Sequence, residues 1–433
     1  MRIQQLEVKN FKGFAHKIID FSPRFNVLIG DNGSGKTAIL DALAVGIGSL
    51  LLGFDGMISR TIKNHEIRHI DQQLGQITTF EPQYPVIVRC RGQVNETDSL
   101  IWERSLHHKG GRTTNKNAKS LIQYAQHCQQ QVRQGEQIIL PLISYYSTGR
   151  LWLQKKEKSV EVLSPGSRLL ALVDCLEPAS GEKMLMRWLK TMEMAAIQRQ
   201  VSLAVLEGLR TAVKNCLEGC ESVYYDIQQD GLVATLGDKH NRPAHLLSDG
   251  QRAILAMSAD IAYRAAVLNP HLGEMARLQT PGIVLIDEID LHLHPNWQRK
   301  IIKSLSMTFP LIQFIATTHS PTIVQSLQPG QLINLNDYEM GEYYDKSIED
   351  ILEWVMGVDC PQRSQRYKEM VKVAKEYYQV LENAKSIPPE KISEIEKHLD
   401  ELVAPFSDDV AYHTFLEMER TTAGLGRKTD ETR

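Results

Sequence analysis

The sequence predicts an α/β fold in which a mostly parallel sheet carries a phosphate-binding loop. Three observations predict it. Residues 25–29 (FNVLI) form a short β-rich run, GDNGSGKT follows, and residues 38–52 continue as an amphipathic helical pattern. Residues 283–286 (IVLI) and 313–317 (QFIAT) are continuous apolar or β-branched runs, as suits strands buried on both faces of a parallel sheet. Helix, strand and loop then alternate as far as Leu335.

The other elements follow in chain order. Residues 2–9 alternate weakly and suggest an early strand, and residues 85–89, 100–104 and 138–145 read as further strands of an antiparallel β subdomain. Residues 104–119 hold five basic residues, two histidines and no acid. Their Gly-Gly and Asn/Thr content predicts a flexible loop, either a solvated hairpin tip or a phosphate contact. Residues 169–217 are mostly helical, with Leu206, Leu209, Val213 and Leu217 on one face. Strands resume at 221–227 and 232–236, and residues 253–267 form an apolar helix. Past residue 340 helical patterns dominate, with Ile392, Ile395, Leu399 and Leu402 as one stripe, and residues 381–433 carry twelve acids against seven bases. The expected organisation is a first nucleotide-binding lobe over 1–150, a helical insertion over 151–220, a second lobe over 221–335, and a helical C-terminal extension over 336–433.

The chain has 433 residues, 42% hydrophobic and 23% charged, with a formal net charge of −3. Gly and Pro together are about one residue in ten, below the roughly one in four of low-complexity chains. A disordered or collagen-like chain is excluded. The near-neutral charge excludes a dominant basic surface but not a local one. No run approaches the ~18 apolar residues of a membrane helix, and residues 44–54, the longest candidate, carry three glycines. The N-terminal MRIQQLEVKNFKGF has no apolar leader, and the six cysteines lack metal-ligand spacing. A cytoplasmic protein with reduced thiols is expected, with no membrane partner.

The chemistry concentrates in four places. Gly30-Asp31-Asn32-Gly33-Ser34-Gly35-Lys36-Thr37 fits G-x-x-x-x-G-K-[ST] completely. Its glycines let backbone N–H groups curl around a phosphate, and the following helix offers its positive end to the same anion. Lys36 supplies charge for the β- and γ-phosphates, and Thr37 a hydroxyl for Mg²⁺. Asp287 and Glu288 emerge at the carboxyl end of a buried strand, where open α/β sheets bind ligands. There Asp287 would hold Mg²⁺, and Glu288 would orient and deprotonate the attacking water. His319, in ATTHSP after the next strand, can donate to the γ-phosphate. Ser248 and Gly250, in LSDGQ at a helix start, make a second anion site. Two such sites make sense if two subunits sandwich the nucleotide, each giving its Ser248 loop to the other's Lys36 loop.

The order GDNGSGKT, LSDGQ, IDEIDLHLHP, TTHSP is similar to the ATP-binding-cassette (ABC) ATPases of the SMC, RecF and overcoming-lysogenization-defect group. The opening Leu6-x-x-x-Asn-Phe11-Lys-Gly-Phe14 shares the likeness, which covers residues 1–335. The resemblance implies a P-loop NTPase of ABC type using ATP and Mg²⁺. It places Ser248, Asp249, Gly250, Gln251 and Asp290 at the nucleotide beside the Lys36 loop. The usual signature reads LSGGQ, and Asp249 stands here for its first Gly. No Q-loop glutamine is assigned; residues 144–150 are the candidate for its place, with Arg150 near the nucleotide.

Within the group, LISYYSTGRLW (142–152), residues 248–270 and the short tail resemble PtuA-type ATPases of Septu antiphage systems, also found as retron effectors. That likeness implies an ATPase that regulates an HNH endonuclease of PtuB type. It also implies assembly as a dimer, dimers of dimers or higher, and a retron DNA–RNA hybrid as a nucleic-acid partner. No D-x-D pair follows residue 335, so no nuclease site of its own is expected. A RecF-like repair ATPase acting on DNA is the alternative. A transporter cassette is disfavoured by the Phe11-Lys-Gly-Phe14 opening, and a long SMC coiled coil by the short interval between Lys36 and Ser248.

Overall fold

A computed structural model describes residues 1–74, 77–94, 99–151, 167–177, 182–237, 239–336, 342–358 and 397. The chain divides into two compact units, Met1–Met356 and Gly357–Arg433. The expected tail helices lie outside the described residues.

The strands, in chain order, are β1 (Arg2–Phe11), β2 (Phe14–Asp20), β3 (Phe25–Ile29), β4 (His69–Leu74), β5 (Ile77–Pro82), β6 (Val86–Gln93), β7 (Ser99–Leu106), β8 (Leu142–Tyr146), β9 (Cys220–Asp226), β10 (Gly231–Leu236), β11 (Asn241–Pro243), β12 (Gly282–Ile286), β13 (Ile312–Thr317) and β14 (Leu332–Asn334). The helices that matter here are α1 (Lys36–Ile47), α2 (Lys119–Arg133), α3 (Glu182–Arg199), α4 (Ala204–Cys216) and α5 (Asp249–Leu268).

Five strands form the central sheet in the order β14-β3-β13-β12-β8, and every pairing is parallel. All residues of β3, β12 and β13 are buried, which is why these strands read as unbroken apolar runs. Asn26, Gln313 and Thr317 are the polar exceptions, and Gln313 in β13 ties this sheet to its neighbour. Its amide accepts from the Ile3 N–H and donates to the Ile3 and Ser22 carbonyls. The register of β1 against β6 shifts between Ile3 and Gln5, and Gln313 bonds both backbone groups of Ile3 beside that shift.

The sheet β2-β1-β6-β7 is antiparallel, and α1 packs against it. Trp102 of β7 donates its indole N–H to the Gly46 carbonyl at 2.9 Å, and a side chain at Gly46 would strike the Cys90 sulfur. Almost every residue of α1 is therefore buried, and beyond Asp41 the helix is apolar all round rather than on one stripe. The run Lys36–Gly53 is apolar enough to pass for a membrane span, yet 89% of it is buried inside the fold.

Two expectations change. Residues 138–145 do not extend the antiparallel subdomain: only Leu142–Tyr146 is a strand, and it forms the edge of the parallel sheet beside β12. Residues before it are held by side chains instead, with Asn269 bonding both the N–H and the carbonyl of Leu140. The stretch 104–119 is not one loop. Arg104 lies inside β7, buried, donating to the Thr114 carbonyl and the Ser59 hydroxyl, and burial pushes its pKa down to about 10. Lys119 already begins α2. Lys109, Arg112 and Lys116 are exposed.

Other expectations hold. Leu206, Leu209, Val213 and Leu217 are all buried along α4, and β9 pairs antiparallel with β10 ahead of α5.

Behind α1 lies a buried ionic cluster. Arg60 bonds Asp41 at 2.6 Å and Glu66 at 2.8 Å, its guanidinium faces the Tyr145 ring, and Lys12 also pairs with Asp41. Burial opposes the charge of Arg60, but the Asp41 and Glu66 carboxylates outweigh it and raise its pKa. Arg60→Met would leave the fully buried Glu66 carboxyl with the Lys63 N–H as its remaining bonded partner among the described residues. Breaking such a pair costs about 3–5 kcal/mol. Denaturant unfolding should show a loss of that size, and much of it should return in a Arg60→Met/Glu66→Leu double variant.

Candidate nucleotide-binding site

The loop of residues 30–35 leaves β3 and enters α1 through three glycines with positive φ: Gly30 (148°), Gly33 (88°) and Gly35 (95°). Gly35 is required twice over, by its left-handed backbone and by the Phe14 ring, which a Cβ there would approach to 2.4 Å. The β1–β2 turn thus braces the loop from outside, with Phe14 over Gly35 and Lys12 on Asp41 of α1. On the other flank the Asn336 side chain accepts the Asp31 N–H.

Lys36 is buried. Its ammonium donates to the Gly30 carbonyl at 2.7 Å and the Asp31 carbonyl at 2.9 Å. Burial lowers its pKa, partly offset by Asp287, Asp31 and Glu288. The next residue, Thr37, donates its hydroxyl to Asp287 at 3.1 Å across 250 positions of sequence. Asp287 is held on two more sides: its N–H donates to the Tyr146 carbonyl, and its carboxylate accepts from the Thr317 hydroxyl at 2.7 Å. The same Thr317 oxygen accepts the Glu288 N–H at 2.7 Å. Glu288 takes a positive φ of 49°, so the chain bends sharply where the carboxylate leaves the sheet.

The fold therefore brings Lys36, Thr37, Asp287 and Glu288 together at the carboxyl ends of β3 and β12. Thr317 organises both acids, although sequence reasoning passed over it for its neighbour His319. The signal was present in the doubled threonine after a buried strand. His319 is exposed. Beside it Thr318 donates its hydroxyl to Asp290.

The Ser248 loop is on another element, at the start of α5. Ser248 caps α5, accepting from the Gln251 N–H, while the Gln251 side chain accepts from the Ser248 N–H. Ser248 and Asp249 are exposed, and Asp249 pairs with Arg252. Gly250 is buried beneath the loop that follows Asp290: a Cβ there would meet the His292 carbonyl oxygen at 2.4 Å. Arg150 begins no strand or long helix; its backbone lies in the short turn Thr148–Leu151, and its side chain is outside the described residues.

The AAA domain family model matches residues 5–221, half of the chain, and a second AAA domain model matches residues 225–325. The chain is similar to the Retron Ec83 probable ATPase of Escherichia coli, 27% identical over 396 residues, covering 76% of this chain and 70% of the relative. It is similar to the Septu protein PtuA of Bacillus thuringiensis, 42% identical over 102 residues, covering 21% of this chain and 26% of the relative. Among solved structures it is similar to the SMC head domain from Thermotoga maritima, with a TM-score of 0.43, 15% identity, and coverage of 77% of this chain and 94% of that one. The chain belongs to the AAA domain family, whose model spans half of it.

Proposed function

We propose that this chain binds and hydrolyses ATP in sites completed by a second copy of itself, and that the cycle governs an HNH-type nuclease in an antiphage defence complex. The observation that carries the ATPase chemistry is the contact of Thr37 with Asp287, beside a buried Lys36 and a Glu288 fixed by Thr317.

Lys36 would exchange the Gly30 and Asp31 carbonyls for β- and γ-phosphate oxygens, and the N–H groups of residues 33–37 would line the phosphates. Thr37 and Asp287 offer hard oxygen donors side by side, and Mg²⁺ typically takes one or two protein ligands plus phosphate oxygens, so this pair fits it. When bound, that ion would neutralise charge developing on the phosphates. Glu288 would accept a proton from water as the water oxygen attacks the γ-phosphorus and ADP leaves with the bond electrons. His319 would donate to the γ-phosphate. The Ser248–Gln251 turn would close the site from the partner copy, and Asp290 would lie at the nucleotide; the exposure of Ser248 supports its assignment.

The defence role is supported by the relatives named as retron ATPases and Septu PtuA proteins. The domain division 1–150, 151–220, 221–335 and 336–433 belongs to the same reading, with the last segment as docking surface for the PtuB-type nuclease or a sister dimer. Co-purification with a neighbouring HNH protein, with and without ATP, tests the partnership. ATP-dependent recovery of a stoichiometric complex is expected, and no complex under either condition would refute it. A RecF-like DNA ATPase is the second reading, favoured by the exposed Lys109, Arg112, Lys116 and Lys119 in the acid-free run 104–135. DNA-stimulated turnover without any nuclease partner would select it.

A further inference from the structure

Two adjacent tyrosines in LISYYS sit on β8, and successive side chains of a strand point to opposite faces of its sheet. Each reaches a carboxylate on a different helix. The Tyr145 hydroxyl donates to Asp41 of α1, the helix that begins at Lys36, at 3.3 Å. The Tyr146 hydroxyl donates to Asp260 of α5, the helix capped by Ser248, at 2.7 Å. Between them the β8 backbone holds the acid strand, since the Tyr146 carbonyl accepts the Asp287 N–H at 2.8 Å.

The α5 contact is built into the core. Asp260 and Arg264 are both buried and pair at 2.7 Å with i,i+4 spacing. Arg264 also donates to the Ala171 carbonyl. Burial opposes the Arg264 charge, but Asp260 outweighs it and raises the pKa. Asp260 Oδ2 accepts from both Tyr146 and Arg264, while its Oδ1 is buried with no hydrogen-bond partner among the described residues. Buried ion pairs left part-satisfied are often no more stable than apolar side chains of the same size. Stability alone therefore gives a weak reason for a Tyr–Asp–Arg network here, whereas a fixed register between α5 and β8 gives a strong one. A helix is a stiff rod rising about 1.5 Å per residue, so a shift of the Ser248 end, roughly 18 Å from Asp260, reaches Tyr146 undamped.

We propose that Tyr145 and Tyr146 are positioning residues that lock β8, and through it Asp287, to the P-loop helix on one face and the Ser248 helix on the other. Tyr146 couples engagement of the Ser248 end to the placement of Asp287 and Glu288. This rests on the reading that Ser248 meets the γ-phosphate of an ATP held by the partner copy.

The test compares full-length wild type, Tyr146→Phe and Tyr145→Phe by Mg-ATP turnover, fluorescent-nucleotide binding and thermal unfolding. Tyr146→Phe keeps the ring and removes only the donor to Asp260. Its kcat should fall about tenfold, with nucleotide affinity within twofold of wild type and the unfolding midpoint within about 4 °C. Tyr145→Phe should act on the other side, weakening nucleotide binding about threefold with kcat nearly unchanged. If Tyr146→Phe fails to fold, Asp260→Asn, which keeps an acceptor for the tyrosine, should show the same kcat-only loss to a smaller degree. Wild-type kcat in the soluble variant would overturn the proposal, as would a loss of turnover matched by an equal loss of folded protein or of affinity. A wild-type chain that does not hydrolyse ATP would instead overturn the reading beneath it.

Discussion

Glu288→Gln is expected to cut ATP turnover by about 10²–10⁴-fold, the usual contribution of a positioned general base, while ATP stays bound. The glutamine keeps the size of the side chain and the backbone bend at φ 49°, and the Glu288 N–H still finds Thr317. Lys36, Thr37 and Asp287 are untouched, so the phosphate and metal contacts survive. Nucleotide that binds but cannot leave as ADP should accumulate together with the closed two-copy state. Nucleotide retained after gel filtration and a single-turnover time course would show it. Turnover within threefold of wild type would remove Glu288 from the role of base.

Lys36→Ala should abolish ATP binding at ordinary concentrations. The ammonium is buried against loop carbonyls, and the charges of Asp287, Asp31 and Glu288 partly offset the cost of burying it. Truncating one partner of a buried charge-assisted contact costs about 2–5 kcal/mol, which is roughly 30- to several-thousand-fold in affinity. A fluorescent-nucleotide titration checks this, with thermal unfolding to confirm that the fold persists. Equal ATP affinity in variant and wild type would sink the assignment of the loop.

How much of this was legible in the sequence depended on the range of the contacts. The strands β12 and β13 and the loop after β3 were readable because burial on both faces leaves an unbroken apolar run, and because a phosphate loop needs its glycines at fixed spacing. The α4 stripe was readable from helical periodicity alone. Other features depend on residues far apart in the chain. Nothing local in residues 142–146 distinguishes an edge strand of the parallel sheet from one more antiparallel strand, because its partner is β12, 140 positions on. Arg104 closes the expected strand 100–104 and also opens the basic run 104–119, so its sequence leaves open whether its charge faces solvent; only the fold shows it buried against Ser59 and Thr114. The helix α2 is masked by its glutamines, although Leu121, Ala125 and Cys128 fall on one buried face at i, i+4 and i+7. Phe14, Thr317 and Asn336 reach the site from three separate elements, and no spacing rule links them to Lys36.

The central claim is that one active site is shared by two copies of the chain, and subunit mixing tests it most directly. A Lys36→Ala chain and a Ser248→Arg chain should each be inactive alone, the first for want of phosphate binding and the second because its arginine blocks the loop it presents. Mixed one to one under exchanging conditions, half of the dimers pair one of each and carry a single intact composite site. ATP turnover should then rise from background to about a quarter of the wild-type rate per subunit. Background turnover at every mixing ratio, with subunit exchange confirmed by differently tagged chains, would contradict a shared site.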